Sequence, residues 1–142
     1  MGTAENTGLV IVHPASACGS ADFSLGPDAA ASDRARLIGT IERWRGPSVV
    51  IDNDLTPELQ VYEPLCVALR SLDDPIRVDA CATEADWVRK AFTTIEDTGL
   101  RRFVMTGAWH HPDDHSGCID AITSMMDQRD MQWEIAPCAF RI

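Results

Sequence analysis

The sequence predicts a small three-layer α/β sandwich, with a mostly parallel sheet of about five strands and about four covering helices, flavodoxin-like or Rossmann-like in outline. Short unbroken apolar runs at residues 9–12 and 48–51 have the character of strands buried on both faces. Stretches with apolar residues at helical spacing alternate with them. A chain of 142 residues, 45% of them hydrophobic, suits one core.

The first strand is read at residues 9–12, after a disordered tail over residues 1–8, so that 9–142 form a single domain. Residues 15–26 are rich in small side chains and read as a flexible crossing. Backbone amides there are able to cradle an anion, but neither G-x-G-x-x-G nor the P-loop pattern occurs. Residues 33–45 carry Leu37, Ile38, Ile41 and Trp44 at helical spacing, with Ser32 as cap and Gly46-Pro47 as stop. The second strand is 48–51, and a helix over 64–72 tolerates Pro64 in its first turn. A weaker strand at 76–78 precedes a helix capped by Thr83, with Trp87, Ala91, Phe92 and Ile95 on its stripe. A further weak strand at 103–105 precedes a helix capped by Ser116, whose apolar face is Cys118, Ile119, Ile122, Met125 and Met126. Residues 133–140 read as the last strand.

Charge narrows the function classes. Twenty-two acidic against twelve basic residues give a net charge of −10, which repels phosphate backbones and excludes nucleic acid as an expected partner. No apolar run approaches the roughly 20 residues of a membrane span, so no membrane partner is expected either. The start lacks the basic and apolar regions of a signal peptide, and a cytoplasmic location is the expectation. Five cysteines without a C-x-x-C pair point to reduced thiols.

Ligands of open parallel sheets bind beyond the carboxyl ends of the strands. There the sequence offers His13 and Ser16 after the first strand and Asp52 and Asp54 after the second. Asp79 follows the third, and Thr106 and Trp109 the fourth. We take His13, Ser16, Asp54, Asp79, Thr106 and Trp109 as candidate ligand-binding residues and Asp52 as a candidate catalytic carboxylate.

The densest feature is residues 110–115, where three of the four histidines flank two carboxylates. Imidazole and carboxylate suit zinc, iron or manganese, which makes His110, His111, Asp113 and His115 candidate ligands and a divalent metal a candidate cofactor. The spacing matches no H-E-x-x-H signature. The competing reading is a solvated loop whose histidines cap the next helix. Cys118, in the first turn of that helix, is a candidate nucleophile favoured as thiolate by the helix dipole, with His115 as its base. Its place on an apolar stripe also suits a structural cysteine.

Thr106-Gly107 leading to Gly117-Cys118-Ile119, with Lys90 upstream, resembles the isochorismatase-like cysteine hydrolases. The likeness covers about a fifth of the chain and implies Cys118 as nucleophile and Lys90 as a catalytic lysine. The chain departs from that family at Val12-His13, where the family has an Asp, and in a longer strand-to-cysteine loop.

Two accounts of function stay open. One is an enzyme hydrolysing a small molecule, through a metal or through Cys118. The other is a non-catalytic ligand-binding or oligomerisation module, with residues 65–72 or the strand 133–140 supplying a homodimer contact.

Overall fold

The computed structural model describes residues 6–17, 19–52, 62–80 and 84–141. In chain order these form β1 (Thr7–Val12), a 3-10 turn (Pro14–Ala17), α1 (Gly19–Leu25), α2 (Pro27–Arg43) and β2 (Ser48–Asp52). There follow α3 (Glu63–Arg70), β3 (Ile76–Asp79), α4 (Trp87–Asp97), β4 (Arg102–His110), α5 (Cys118–Gln128), β5 (Gln132–Ile135) and β6 (Phe140–Arg141).

The sheet order is β3-β2-β1-β4-β5, with β6 pairing the far end of β4, and each pairing is parallel. This is the Rossmann-like alternative: in the flavodoxin-like order the first strand lies between the second and the third. Five residues of β1 and all of β2 are buried, as continuous apolar strands between two helical layers must be. Alternate strand residues feed the two layers. Leu9, Ile11 and Val50 pack with Leu37 and Ile41 of α2 and Leu65 and Leu69 of α3. Val10, Val12 and Ile51 pack with Phe92 and Ile95 of α4 and Ile119, Ile122 and Met126 of α5. The result is a three-layer sandwich.

Several boundaries differ from the sequence expectation. Residues 7–8, assigned above to a tail, belong to β1 and pair with Arg102 and Phe103, while residues 1–5 lie outside the described residues. The crossing over 15–26 is helical: it holds the 3-10 turn and α1, whose Asp22 accepts a hydrogen bond from Arg34 at 2.9 Å. α2 starts at Pro27 rather than near Ser32. Gly26 ends α1, Pro27 suits a first helical position, and Ala29-Ala30-Ala31 favour helix without adding a large apolar stripe. The last strand divides in two around a turn at Pro137, where the Ala139 amide donates to the Ala136 carbonyl. Thr83, expected as a cap, lies outside the described residues.

The crossovers place α1–α3 on one face and α4–α5 on the other, so the connections reverse direction between β1 and β4. The crevice of such a sheet opens at that point. Gly107 (φ +93°) makes the approach of the two strands feasible, because a Cβ there would overlap the Val12 carbonyl oxygen.

Candidate functional site

β4 runs past the end of β1 and carries its last residues toward α5. Ala108 lies opposite Phe140 and His110 opposite Arg141, so Trp109 is an extra residue in the ladder. The irregularity lets both Ala108 and Trp109 pack toward the α1–α3 layer, with Trp109 edge-on to Phe140. His110 turns the other way, toward the start of α5. Bulges beside functional sites re-aim side chains in this manner.

The start of α5 meets His110 through Asp120. Gly117 is the N-cap, and a Cβ there would overlap the Trp109 carbonyl oxygen, so only glycine lets the helix seat this closely on β4. Three residues on, the Asp120 carboxylate reaches back into the cap. Its Oδ2 accepts from the Gly117 amide at 3.1 Å and from the His111 amide at 2.7 Å. Its Oδ1 lies 2.6 Å from His110 Nδ1 and 3.9 Å from His115 Nδ1. The carboxylate is 2% exposed, whereas the His115 ring is 67% exposed. His115 adopts φ +55°, and its amide donates to the His111 carbonyl at 2.9 Å, closing the loop so that its ring lies 6.2 Å from that of His110. One potential ligand atom from each of His110, His115 and Asp120 falls within 4.8 Å of the others.

No family model, curated protein or solved structure matches this chain.

The geometry therefore carries the assignment of roles. Of the four residues named above as metal ligands, the structure brings His110 and His115 together. It leaves out His111, whose Nδ1 lies 2.8 Å from the Ser116 hydroxyl and 3.5 Å from Asp114 Oδ1. Asp113 is exposed outside the cluster. Asp114 belongs to the same loop scaffold, where hydrogen bonding by Ser116 holds its carboxyl below the usual carboxylate range.

Asp120 is the residue that sequence reading missed. Taking Ser116 as the cap puts Ile119 at the third helical position and hides the acid. With Gly117 as the cap, Asp120 falls where a capping-box acid belongs.

The other strand-end residues do separate work. His13 (φ +45°) is buried; its Nε2–H donates to the Ala80 carbonyl at 3.0 Å, and its ring packs 4.9 Å from that of Trp87. It ties the ends of β1 and β3 together and offers no Nε2 lone pair. Asp52 is buried and accepts from the Ala15 amide at 3.2 Å, holding the turn that contains half-buried Ser16. Its strand, β2, is separated from β4 by β1, so it lies apart from Cys118 and His110. Asp79 is exposed on the edge strand β3, one strand farther away. Thr106 is fully buried, with its hydroxyl 3.1 Å from the Cys138 thiol, and so faces the core rather than a ligand. Trp109 is half-buried against Phe140, and Asp54 lies outside the described residues.

Cys118 opens α5 and is half-buried. Burial pushes its thiol up; a backbone contact from Trp109 opposes this, and the neighbouring Asp120 charge adds to it. The expected thiolate stabilisation by the helix start is thus outweighed by burial. Lys90 is exposed on α4.

A shallow groove of about 540 Å³ lies at the opposite end of the sheet, between Trp44, Arg102, Val104, Trp133 and Glu134. It has the volume, but among the described residues no cluster of ligand atoms converges there, whereas the loop site has one. Chemistry favours the latter.

Proposed function

We propose that the chain is a metal-dependent hydrolase of small molecules, with His110, His115 and Asp120 as the metal ligands. The observation that carries this reading is the convergence of two imidazoles and one buried carboxylate within 4.8 Å at the carboxyl end of β4. Three protein ligands with a solvent-facing side are the pattern of catalytic rather than structural zinc, and the exposed ring of His115 leaves that side open. A bound divalent ion supplies a water acidic enough to attack at neutral pH and polarises the scissile bond. This chain's own contribution is positional. Asp120, held by two backbone amides, aims Oδ1 at the point that His110 Nδ1 also faces. The loop closed by His111 and Ser116 holds His115 over it.

The cysteine-hydrolase alternative has weaker support, because burial disfavours the Cys118 thiolate. A non-catalytic reading draws on one observation: Oδ2 of Asp120 completes the helix cap without any ligand. We take the chain to act in the cytoplasm, alone or as a homodimer, on a small molecule. Among the described residues no helix is long and apolar enough to cross a membrane.

The test is hydrolysis of a panel of chromogenic esters and phosphate esters by zinc-loaded protein. Activity that a chelator abolishes, zinc restores and His115→Ala lowers by about 100-fold or more supports the reading. Hydrolysis that survives both chelation and Asp120→Asn contradicts it.

A further inference from the structure

We infer that Arg141 is the substrate-binding cation of this site, and that the substrate carries an oxyanion group, a carboxylate or a phosphate, adjacent to the bond that is cleaved. The inference rests on the metal reading above and adds the class of molecule that it serves.

The placement follows from the ladder. β6 pairs with the end of β4 so that Arg141 lies directly opposite His110. Neighbouring strands run about 4.8 Å apart, and partners in register project to the same face. Two side chains fix which face that is. Phe140 packs in the α1–α3 core layer, so Arg141, the next residue along the strand, projects toward the α4–α5 layer. That is the side on which His110 meets Asp120 of α5. The side chain therefore projects on the same face as the proposed ligands, and Arg141 is exposed to solvent.

The chemistry of the surroundings points the same way. Acidic residues outnumber basic ones 22 to 12 in this chain, so arginines have many carboxylates to pair with. Arg34, Arg36 and Arg129 do so, with Asp22, Asp33 and Glu96. Among the described residues none holds Arg141 in an ion pair, a condition it shares with other arginines such as Arg77, Arg89 and Arg102; its place opposite His110 sets it apart from them. Asp120, the buried carboxylate that His110 meets, is taken up by His110 and two backbone amides.

A metal with an arginine beside it is a two-point receptor. An ion held by His110, His115 and Asp120 would polarise the reacting bond, and the planar fork of Arg141 would grip an oxyanion by two parallel N–H···O bonds. Such a receptor is needed here, because the net charge of −10 and the exposed Asp113 and Asp114 repel an anion at longer range. A neutral substrate would leave the guanidinium unused.

Cobalt(II) replaces zinc with a visible spectrum, which separates the two layers of the argument. Cobalt is titrated into wild type, Arg141→Gln and Arg102→Gln; the last removes an equal charge at the far end of β4. Inorganic phosphate, and in a parallel arm acetate, is then titrated into each loaded protein. The inference predicts that cobalt affinity falls in neither variant, since Arg141→Gln only removes a positive charge beside the ion. It further predicts an anion-induced spectral change whose dissociation constant rises about tenfold or more in Arg141→Gln and stays unchanged in Arg102→Gln. The arm that shows the dependence assigns the phosphate or the carboxylate. Cobalt binding with an anion response that is absent, or equal in all three proteins, overturns the role of Arg141 and leaves the metal reading standing. No cobalt spectrum in wild type overturns both.

Discussion

Asp120 divides its two oxygens between structure and site. Oδ2 serves the Gly117 and His111 amides; Oδ1 faces the imidazoles of His110 and His115. Replacement by Asn can keep the first role, since its carbonyl oxygen still accepts from both amides. Its NH₂ then faces His110 Nδ1 and occupies the lone pair that a metal needs. Asp120→Asn is therefore expected to fold with near-native stability while metal affinity falls about 10- to 100-fold, as read by isothermal titration alongside thermal melting. A variant that keeps full affinity would show that the carboxylate serves only as a cap. Cys118 gives a second residue-scale expectation. With its thiol pushed up by burial, iodoacetamide should modify it several-fold more slowly at pH 7.5 than a free cysteine. The sign for stability follows: the buried neutral thiol favours the folded state below the unfolded value of about 8.5, and this contribution is lost as pH rises through the higher folded value. Urea midpoints of wild type and Cys118→Ser at pH 7 and pH 9.5 check this, the wild type losing more between the two. Free-cysteine reactivity at neutral pH would contradict the account.

At the scale of elements, two glycines bring the pieces together. Gly107 lets β4 lie against the end of β1, and Gly117 lets α5 seat on Trp109. Gly107→Ala combines a positive φ with backbone overlap and is expected to cost about 3 kcal/mol or more in urea denaturation. Gly117→Ala has an ordinary φ of −77°, so its cost is purely steric, about 1–3 kcal/mol. It should also lower metal affinity, because it moves Asp120 relative to His110. Little loss of stability in either variant would mean that the strand and helix approach less closely than described. These elements were unequally legible in the sequence. β1 and β2 announce themselves as unbroken apolar runs, and the stripes of α4 and α5 follow helical spacing. β4 reads as three residues but extends over nine, because the Thr-Gly-Ala-Trp-His tail lacks any strand pattern and is held by pairing with β1 and β6. α1 was hidden by small and polar residues that tertiary contact with α2 orders.

Across the whole molecule, the alternation of strands and helices was enough for the layers, but not for the strand order, which depends on crossovers that no local pattern encodes. The order β3-β2-β1-β4-β5 decides which of the strand-end residues share a site. It separates His13, Asp52 and Asp79 from the loop after β4, while β6 brings Arg141 opposite His110. The residues that the sequence sets along one sheet edge after the first four strands are thus divided, and the candidate cluster of His110, His115 and Asp120 draws on β4, the loop after it and α5. A metal bound there links a loop, a helix start and a strand end, so it should stabilise the entire fold by mass action. At a free concentration 100 times its dissociation constant the gain is about 2.7 kcal/mol, readable as a rise of several degrees in Tm.

The most direct measurement is the metal content of tag-free protein after equilibration with zinc and gel filtration, with His110→Ala/His115→Ala and Asp120→Asn variants beside it. The account predicts one zinc per chain in wild type and little in either variant. Wild type without zinc, or variants that retain it in full, would contradict a metal centre at His110, His115 and Asp120.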